Sequence, residues 1–353
     1  MSLTGGTERV CQNLSRLFVL KGHKVTVVSY NKTKDIETYK PIKDVRVVYL
    51  SNERYPIDKG LFARMNSIWL SVSNLKSFYK EEGICKEDVI ISQNFFSNMI
   101  LWIAGKSRWA IGCEHFKYDL YPKPVRALRC IVYSHFRYIV TLTDKDKKRF
   151  AVHLSSNKLF TIPNMVVIDG EIEMDKNSHI IIAVGRLHRQ KGFDFLIDAM
   201  KPVAKKYPDW KLYIFGEGEL KEKLQCQIDR AKLSKNIFMK GFSHNIKSEF
   251  EKSSFFVLSS RYEGYPMVLL EAMSLGVPSV AFDCPEGPSE LLSTGGGILV
   301  EKENVRKLSD AIIYMIEHPE FREKCMNHKE YIREHLSPEV IYKKWMELFK
   351  LRS

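Results

Sequence analysis

The chain has 353 residues, enough for two domains, and its 44% hydrophobic and 27% charged residues are typical of a globular protein. No apolar run reaches the roughly 18 residues that span a bilayer, so we expect neither a membrane-spanning helix nor a secretory leader. Seven scattered cysteines without a C-x-x-C pair predict a cytoplasmic location and argue against a structural zinc site.

The net charge of +13 is concentrated in one half of the chain. Residues 1–165 carry 27 Lys and Arg against 14 Asp and Glu, whereas residues 166–353 carry 28 of each. A basic half suits an anionic membrane surface, a pyrophosphate-bearing substrate or a nucleic acid. The alternative is that the proteins of the source organism are generally basic. The excess charge of this half would then form no functional patch.

Short apolar runs alternate with helical patterns along the first half. The predicted strands are 23–30, 45–50, 88–93, 109–113 and 138–143, and the predicted helices are 7–20, 61–80, 95–104, 124–136 and 144–153. Near-continuous apolar strands that alternate with helices predict a parallel, doubly wound α/β sheet.

The same alternation restarts in the second half. The predicted strands are 180–184, 211–215, 237–240, 255–258, 279–282 and 297–300; the predicted helices are 194–205, 219–231, 246–251, 268–274 and 288–292, followed by terminal helices from 308 and an amphipathic helix at 338–351. We therefore divide the chain into a domain at 1–163, a polar linker at 164–178, a second domain at 179–335 and a final helical segment at 336–353.

The beginning of the chain departs from the doubly wound pattern. Such a domain opens with a strand, a glycine turn and a helix, but here Gly5 and Gly6 come after only four residues. We expect the first strand to be missing from this domain. Glycines before a helix N-terminus also allow close approach of a phosphate, although many such pairs are simple turns.

The most informative segment holds two glutamates eight residues apart, Glu263 and Glu271. Pro266 suits the first turn of a helix, and Gly276 followed by Pro278 is typical of a helix end. Glu263 is therefore predicted on the entering loop and Glu271 inside the helix. Carboxylates here suit sugar or ribose hydroxyls; the alternative is two surface glutamates beside a buried helix.

Two cations follow the first strand of the second half. Arg186 and Lys191 lie five residues apart on a strand-to-helix loop, where they can converge on one diphosphate. The alternative is two solvated side chains. A turn with Gly216 and Gly218 follows the next strand, and His115 follows a strand of the first half, at the end where doubly wound folds bind ligands.

Taken in order, these motifs resemble those of retaining glycosyltransferases of family 4, which have the GT-B fold. The resemblance covers the glycine loop, the acceptor-side histidine, the Gly-Arg-Leu…Lys-Gly run, the Gly-x-Gly turn and the Glu-x7-Glu segment. It implies two facing Rossmann-like doubly wound domains with a cleft between them. It also implies that the last helix packs back toward the first domain.

The resemblance assigns roles to individual residues. His115, Glu263, Arg186 and Lys191 are the implied catalytic set: His115 contacts the transferred sugar, and the two cations neutralise the leaving diphosphate. Glu263 holds sugar hydroxyls. The implied donor-binding residues are loop positions and one helix position, Glu271. They are Gly5, Gly6, Arg186, Lys191, Gly216, Gly218, Glu263, Gly264 and Glu271.

We therefore expect a hexosyltransferase that uses a nucleotide diphosphate sugar, UDP-linked, and a glycan or lipid-pyrophosphate acceptor in surface polysaccharide biosynthesis. No cofactor and no metal are expected, because Asp144 and Asp146 suit a helix start better than a metal site. The alternatives are another GT-B enzyme, such as a sugar-nucleotide epimerase or a glucan- or sucrose-type synthase, and a basic nucleic-acid-binding protein.

A basic amphipathic stretch at 122–137 adds a further expected partner. It places Lys123, Arg126, Arg129 and Arg137 beside apolar residues, a composition typical of helices that lie on membrane surfaces. We expect peripheral attachment to the inner face of the plasma membrane through this basic half. A buried helix with solvated cations is the alternative.

Overall fold

The computed structural model describes residues 6–31, 42–52, 61–167, 170–175, 177–284 and 287–351. These residues form two compact units. The first contains the described residues up to Met165 together with those from Pro338 onward, and the second spans Val166–Ser337.

Both units are built from alternating strands and helices. In chain order, the strands are β1 Val25–Ser29, β2 Val45–Tyr49, β3 Ile90–Gln93, β4 Ala110–Glu114, β5 Tyr138–Thr141, β6 Leu159–Thr161, β7 Ile180–Val184, β8 Lys211–Phe215, β9 Ile237–Gly241, β10 Phe255–Leu258, β11 Ser279–Asp283 and β12 Gly297–Glu301. The α-helices are α1 Gly6–Leu20, α2 Leu61–Glu81, α3 Phe95–Ile103, α4 Lys123–Ser134, α5 Asp144–Phe150, α6 Phe193–Lys206, α7 Lys221–Arg230, α8 Ile246–Glu251, α9 Met267–Ser274, α10 Pro288–Leu292, α11 Val305–Glu317, α12 Pro319–Met326, α13 Lys329–Leu336 and α14 Pro338–Lys350.

The strands of the first unit form two parallel sheets rather than the one predicted sheet. One contains β1 and β2, and the other has the order β3-β4-β5-β6. Among the described residues, no strand is hydrogen-bonded to both β1 and β3, which is why the two pieces remain separate. Strand β6 was not predicted, since its three residues are too short to give a recognisable pattern.

The core of the first unit lies under α3, α4 and α5. Every residue of β4 and β5 is buried, which explains why both strands are almost continuously apolar. Ile100, Val132 and Phe150, one from each of these helices, are completely buried against this sheet. The four-stranded sheet is therefore covered by helices, and its carboxyl edge is where the chain can present functional side chains.

Helix α14 packs against α1 within the first unit. The ring of Phe18 lies edge-on to that of Trp345, with 6.2 Å between the centroids. The imidazole Nε2 of His23 and the hydroxyl of Tyr342 lie 2.9 Å apart, and Lys21 forms an ion pair with Glu339. These contacts join residues that are more than 300 positions apart in the sequence.

The second unit contains one six-stranded parallel sheet with the order β12-β11-β10-β7-β8-β9. Successive strands run outward from β7 in one direction and from β10 in the other. The strand order therefore reverses between β7 and β10, which are neighbours in the sheet, with Phe255 opposite Ile181. Doubly wound sheets bind ligands beyond the carboxyl ends of the strands at such a switch point.

Candidate functional site

The loops that leave the two central strands of the second unit carry the main predicted site residues. Lys191 lies on the loop after β7, and Glu263 lies on the loop after β10. Their side chains meet, with 2.7 Å between Lys191 Nζ and Glu263 Oε1. The two residues are brought together because β7 and β10 are adjacent and parallel, so that both loops begin at the same edge of the sheet.

Glu263 is a buried residue, and its contacts with Lys191 and Ser260 both involve the same carboxylate oxygen, Oε1. Its Oε1 also accepts a hydrogen bond of 2.6 Å from the hydroxyl of Ser260, which is itself completely buried. In the described part of the chain, Oε2 of Glu263 has no hydrogen-bond partner. The Lys191 side chain is 19% exposed and that of Glu263 is 8% exposed, so the pair lies at the boundary between the core and solvent.

Backbone and side-chain hydrogen bonds fasten the two loops to each other. The backbone N–H of Arg261 donates to the carbonyl of Gln190 at 2.8 Å, and Nε2 of Gln190 donates to the carbonyl of Tyr262 at 3.1 Å. The hydroxyl of Ser259 donates to the carbonyl of Lys191 at 3.0 Å. These residues were not predicted from the sequence, because nothing in their spacing marks them as partners.

Arg261 links the loop after β10 both to α6 and to the loop after β7. Its guanidinium donates from two nitrogens to both carboxylate oxygens of Asp194, at 2.8 and 2.6 Å, and Nη1 also donates to the carbonyl of Arg189. The guanidinium lies over the ring of Phe195 at 4.0 Å. Burial opposes ionisation of Asp194, but the hydrogen bonds and charge of Arg261 hold its pKa below the usual value. Such a bidentate pair fixes geometry as well as adding energy.

Two glycines allow these loops to pack closely. Gly192 has a φ of +63°, and a Cβ there would lie 2.0 Å from the carbonyl oxygen of Ser259. Gly216 has a φ of +145°, and a Cβ there would lie 1.9 Å from the carbonyl oxygen of Gly185. Only glycine fits at either position without moving the neighbouring backbone.

The structure places the other predicted donor-binding residues as follows. Arg186 is exposed on the loop after β7, and Gly218 lies against the backbone of Leu187. Gly264 follows Glu263 and is half-buried, as is Glu271 in the middle of α9. Gly6 is the exposed first residue of α1, and Gly5 lies outside the described residues.

His115 lies in the first unit, directly after β4. The residue is 8% exposed, and its Nε2 is hydrogen-bonded to Oε1 of Gln93 at the end of β3. Burial lowers the pKa of His115 to about 4, so the ring is neutral near pH 7. With the Gln93 amide oxygen facing the ring, we assign the ring proton to Nε2, which donates to that oxygen.

A pocket of the first unit lies beside this histidine. Its polar lining comes from His115, Gln93, Asn13 and Asn164, and the rest is mostly apolar. Trp345 of α14 is among the apolar residues, so the last helix contributes to the pocket. A concave, largely apolar surface with a few converging polar groups is typical of small-molecule binding sites.

No described group of three or more His, Cys, Asp or Glu side chains could hold a metal ion. The two acids considered as a metal motif make other contacts, and Oδ1 of Asp144 accepts from the hydroxyl of Thr161 at 2.5 Å. Thr143 is the N-cap of α5 and accepts from the backbone N–H of Asp146, while Oδ1 of Asp146 accepts from the backbone N–H of Tyr118. Within the described ranges, no helix is long and apolar enough to cross a membrane.

Comparison with known proteins gives a consistent family for both halves. Residues 4–169 match the family described as Glycosyltransferase Family 4, and residues 167–334 match the family described as Glycosyl transferases group 1. The amylovoran biosynthesis glycosyltransferase AmsD of Erwinia amylovora is 28% identical, over 99% of this chain and 97% of its own.

A second relative and a solved structure also match over nearly the whole chain. The GalNAc-alpha-(1->4)-GalNAc-alpha-(1->3)-diNAcBac-PP-undecaprenol alpha-1,4-N-acetyl-D-galactosaminyltransferase of Campylobacter jejuni is 24% identical, over 98% of this chain and 95% of its own. The structure of Anabaena HepE in complex with UDP and glucose aligns with a TM-score of 0.79 and 16% identity, over 99% of this chain and 97% of that one. The predicted GT-B fold is confirmed. The chain belongs to the family 4 glycosyltransferases and is a glycosyltransferase enzyme.

Proposed function

We propose that this glycosyltransferase moves a hexosyl group from a UDP-sugar, with retention of anomeric configuration, to a glycan or lipid-linked acceptor in surface polysaccharide biosynthesis. The observation that carries the proposal is the contact between Lys191 and Glu263 at the switch point of the second unit. The contact supports the proposal because it joins a cation, which we assign to the diphosphate, to a carboxylate, which we assign to sugar hydroxyls.

The donor diphosphate is proposed to bind to the loop after β7. Departure of a nucleoside diphosphate develops negative charge, which preorganised cations and helix N-termini stabilise. The ammonium group of Lys191 has three N–H donors, so it can keep its hydrogen bond to Glu263 and still donate to a phosphate oxygen. Exposed Arg186 offers bidentate donors. Helix α6 begins at Phe193, so the positive end of its dipole adjoins the same loop.

The sugar and ribose are assigned to the two glutamates. Oε2 of Glu263 has acceptor capacity that neither Lys191 nor Ser260 uses, and a sugar hydroxyl is a suitable donor for it. Glu271 lies eight residues further on, in α9, and we assign it to the ribose hydroxyls of the nucleotide. The two carboxylates thus hold different parts of one donor.

His115 is proposed to contact the transferred sugar as a neutral group. A ring that keeps its proton on Nε2 and has a low pKa presents an acceptor nitrogen, Nδ1, rather than a full positive charge. Such a group can stabilise positive charge on an oxocarbenium-like sugar without repelling it. The role does not require His115 to act as the general base.

The assignment of the acceptor rests on the relatives. AmsD is named for amylovoran biosynthesis, and the Campylobacter enzyme is named for an undecaprenol-linked acceptor. Both relatives match almost the full length of this chain. A polymer or lipid-linked glycan is therefore the proposed acceptor class.

Attachment to an anionic membrane is proposed through α4, although two of the cations that the sequence suggested are not available for it. Arg129 is completely buried, and Arg126 is paired with Asp119 at 2.5 Å, so neither supplies a free surface charge. The exposed surface of α4 instead combines Lys123 with two apolar side chains, Leu128 at 38% and Ile131 at 53% exposure. Exposed apolar groups beside a cation suit the interface of an anionic bilayer.

Co-sedimentation with phosphatidylglycerol vesicles tests this attachment. The variant Leu128→Ser/Ile131→Ser should lose at least half of the bound fraction. The matched control, Leu20→Ser, removes an exposed leucine from α1 and should bind as the wild type does. Equal binding of all three proteins would exclude α4 as the attachment surface.

A transfer assay with anomeric analysis tests the proposed reaction. A panel of nucleotide hexoses is offered with glycan and undecaprenyl-pyrophosphate acceptors, and release of the nucleoside diphosphate is followed. NMR of the product should show the anomeric configuration of the donor. Product with inverted anomeric configuration would contradict the proposed retaining mechanism. Exclusive use of donors other than UDP-sugars would contradict the proposed uridine nucleotide of the donor.

A further inference from the structure

A fully buried ion pair lies directly beside His115. Glu114 is the last residue of β4, and its Oε2 lies 2.7 Å from Nη2 of Arg129, which belongs to α4. The two side chains are 1% and 0% exposed. The hydroxyl of Tyr133, one helical turn after Arg129, also donates to Oε2 of Glu114. Burying two charges is costly, so this pair calls for an explanation beyond stability.

The remaining hydrogen bonds of the pair hold the backbone of the loop after His115. Oε1 of Glu114 accepts from the N–H of Phe116 at 3.0 Å, and Nη1 of Arg129 donates to the carbonyl of Tyr118 at 2.9 Å. The N–H of Tyr118 donates to Asp146, which is 5% exposed. Three backbone groups in three residues are therefore held by buried charged side chains.

The residues around the Arg129 guanidinium hold it in one position, between Glu114 and the carbonyl of Tyr118. Aromatic rings lie close to Arg129, including Tyr121 with its centroid at 4.8 Å and Phe150 at 5.1 Å. These contacts stabilise a cation that has little access to water. Two apolar side chains could fill the same volume, but they could neither accept from Phe116 nor donate to Tyr118.

We propose that Glu114 and Arg129 are positioning residues that fix the loop after β4 and thereby the orientation of the His115 ring. Gln93 holds the ring at Nε2, and the ion pair holds the backbone that follows it. This inference rests on the proposed function, in which His115 contacts the transferred sugar. Neither residue needs to contact a substrate.

The test replaces the pair by apolar residues of similar size, Glu114→Leu/Arg129→Met. Because both charges are removed together, no charge of the pair is left unpaired, and the double variant should fold. The hydroxyl of Tyr133 loses its acceptor, so the variant should melt below the wild type. Its kcat should fall at least tenfold, while the affinity for UDP, measured by calorimetry, stays unchanged. Lys148→Met, which removes an exposed cation from α5, is the matched control and should leave kcat unchanged.

Nitrogen NMR of His115 measures the tautomer and the pKa of the ring. Neither quantity should change in the double variant if Glu114 and Arg129 only stabilise the fold. In the wild type, the ring should be protonated on Nε2 alone and stay neutral down to a pH near 4. In the double variant, both tautomers should be populated, and the ring should titrate closer to 6.5. Wild-type kcat together with a wild-type spectrum in the double variant would overturn the proposal.

Two further variants keep the interpretation unambiguous. Glu114→Asp keeps the charge opposite Arg129 but draws the carboxylate back from the N–H of Phe116, so it should show an intermediate loss of kcat if the double variant does not fold. His115→Ala tests the proposed function separately. If His115→Ala transfers at the wild-type rate, the role of His115 fails, while the NMR spectra still decide whether Glu114 and Arg129 position its ring.

Discussion

Lys191 Nζ and Glu263 Oε1 lie 2.7 Å apart, although the two residues are separated by 72 positions in the chain. The contact depends on the sheet, because β7 and β10 are neighbours whose following loops leave the same edge. Oε1 of Glu263 accepts hydrogen bonds from both Lys191 and Ser260. Neither bond uses Oε2, which we assign to a ligand hydroxyl. The chemical basis of the proposed donor site is therefore the Lys191 ammonium together with the second carboxylate oxygen of Glu263.

Substitution of Arg261 should weaken donor binding from a distance. Arg261→Gln removes the bidentate link to Asp194 and the hydrogen bond to the carbonyl of Arg189, so the loop that carries Lys191 loses its main anchor. We expect KM for the donor to rise roughly tenfold, the effect of losing a charged hydrogen bond or two. Steady-state kinetics measures the change. Arg230→Gln, an exposed arginine of α7, is the control, and a wild-type KM in Arg261→Gln would contradict the anchoring role.

Substitution of Glu271 should affect the nucleotide rather than the fold. Hydrogen bonds between a carboxylate and two ribose hydroxyls are worth about 1.5–3 kcal/mol, so Glu271→Ala should weaken UDP binding about 10- to 100-fold. Isothermal calorimetry with UDP provides the measurement. Glu222→Ala removes an exposed carboxylate from α7 and serves as the control. Wild-type affinity in Glu271→Ala would exclude the ribose assignment.

The buried histidine should make stability depend on pH. His115 has a pKa near 4 in the folded chain and about 6.5 when unfolded, so between these values only the unfolded chain binds a proton. Stability should therefore rise as the pH increases from about 4 to about 6.5, by roughly 3 kcal/mol from this group. Above 6.5 its contribution is constant.

Urea unfolding at several pH values tests this prediction. His115→Gln should flatten the dependence of the midpoint on pH in this window. His153→Gln, an exposed histidine of the same unit, should keep the wild-type slope. Identical slopes for the wild type and His115→Gln would show that the ring is not held neutral by burial.

Gly216 should tolerate no side chain. A Cβ at this position would lie 1.9 Å from the carbonyl oxygen of Gly185, at a φ of +145°. Gly216→Ala should therefore destabilise the protein by more than about 3 kcal/mol, through displaced backbone and strain. Gly22 also has a positive φ, but a Cβ there meets nothing within 4 Å. Gly22→Ala should cost only about 1 kcal/mol, and equal thermal midpoints for the two variants would contradict the steric argument.

Much of the fold could be predicted from the sequence because parallel strands buried on both faces leave an unmistakable apolar run. Strands β7, β8 and β10 begin and end at the predicted residues. The three-residue β6 was missed, because too few residues carry its pattern. The division of the first unit into two sheets was also missed, since pairing between strands that are distant in the chain leaves no local signal.

The site shows the same limit. The sequence identified Lys191 and Glu263 as separate motifs, but their contact depends on strand order, which spacing alone does not give. It also assigned Arg129 to a basic surface, because a helical pattern shows which residues share a face but not what covers that face. In the structure, Arg129 is buried against Glu114, a carboxylate from the preceding strand.

The most direct test of the donor site is the turnover and donor affinity of Lys191→Ala. Removing the ammonium takes a cation from the leaving diphosphate, so kcat/KM should fall at least tenfold, about 1.4 kcal/mol of transition-state stabilisation. Lys205→Ala, an exposed lysine at the end of α6, should transfer at the wild-type rate. Wild-type kcat/KM in a folded Lys191→Ala protein would contradict the account.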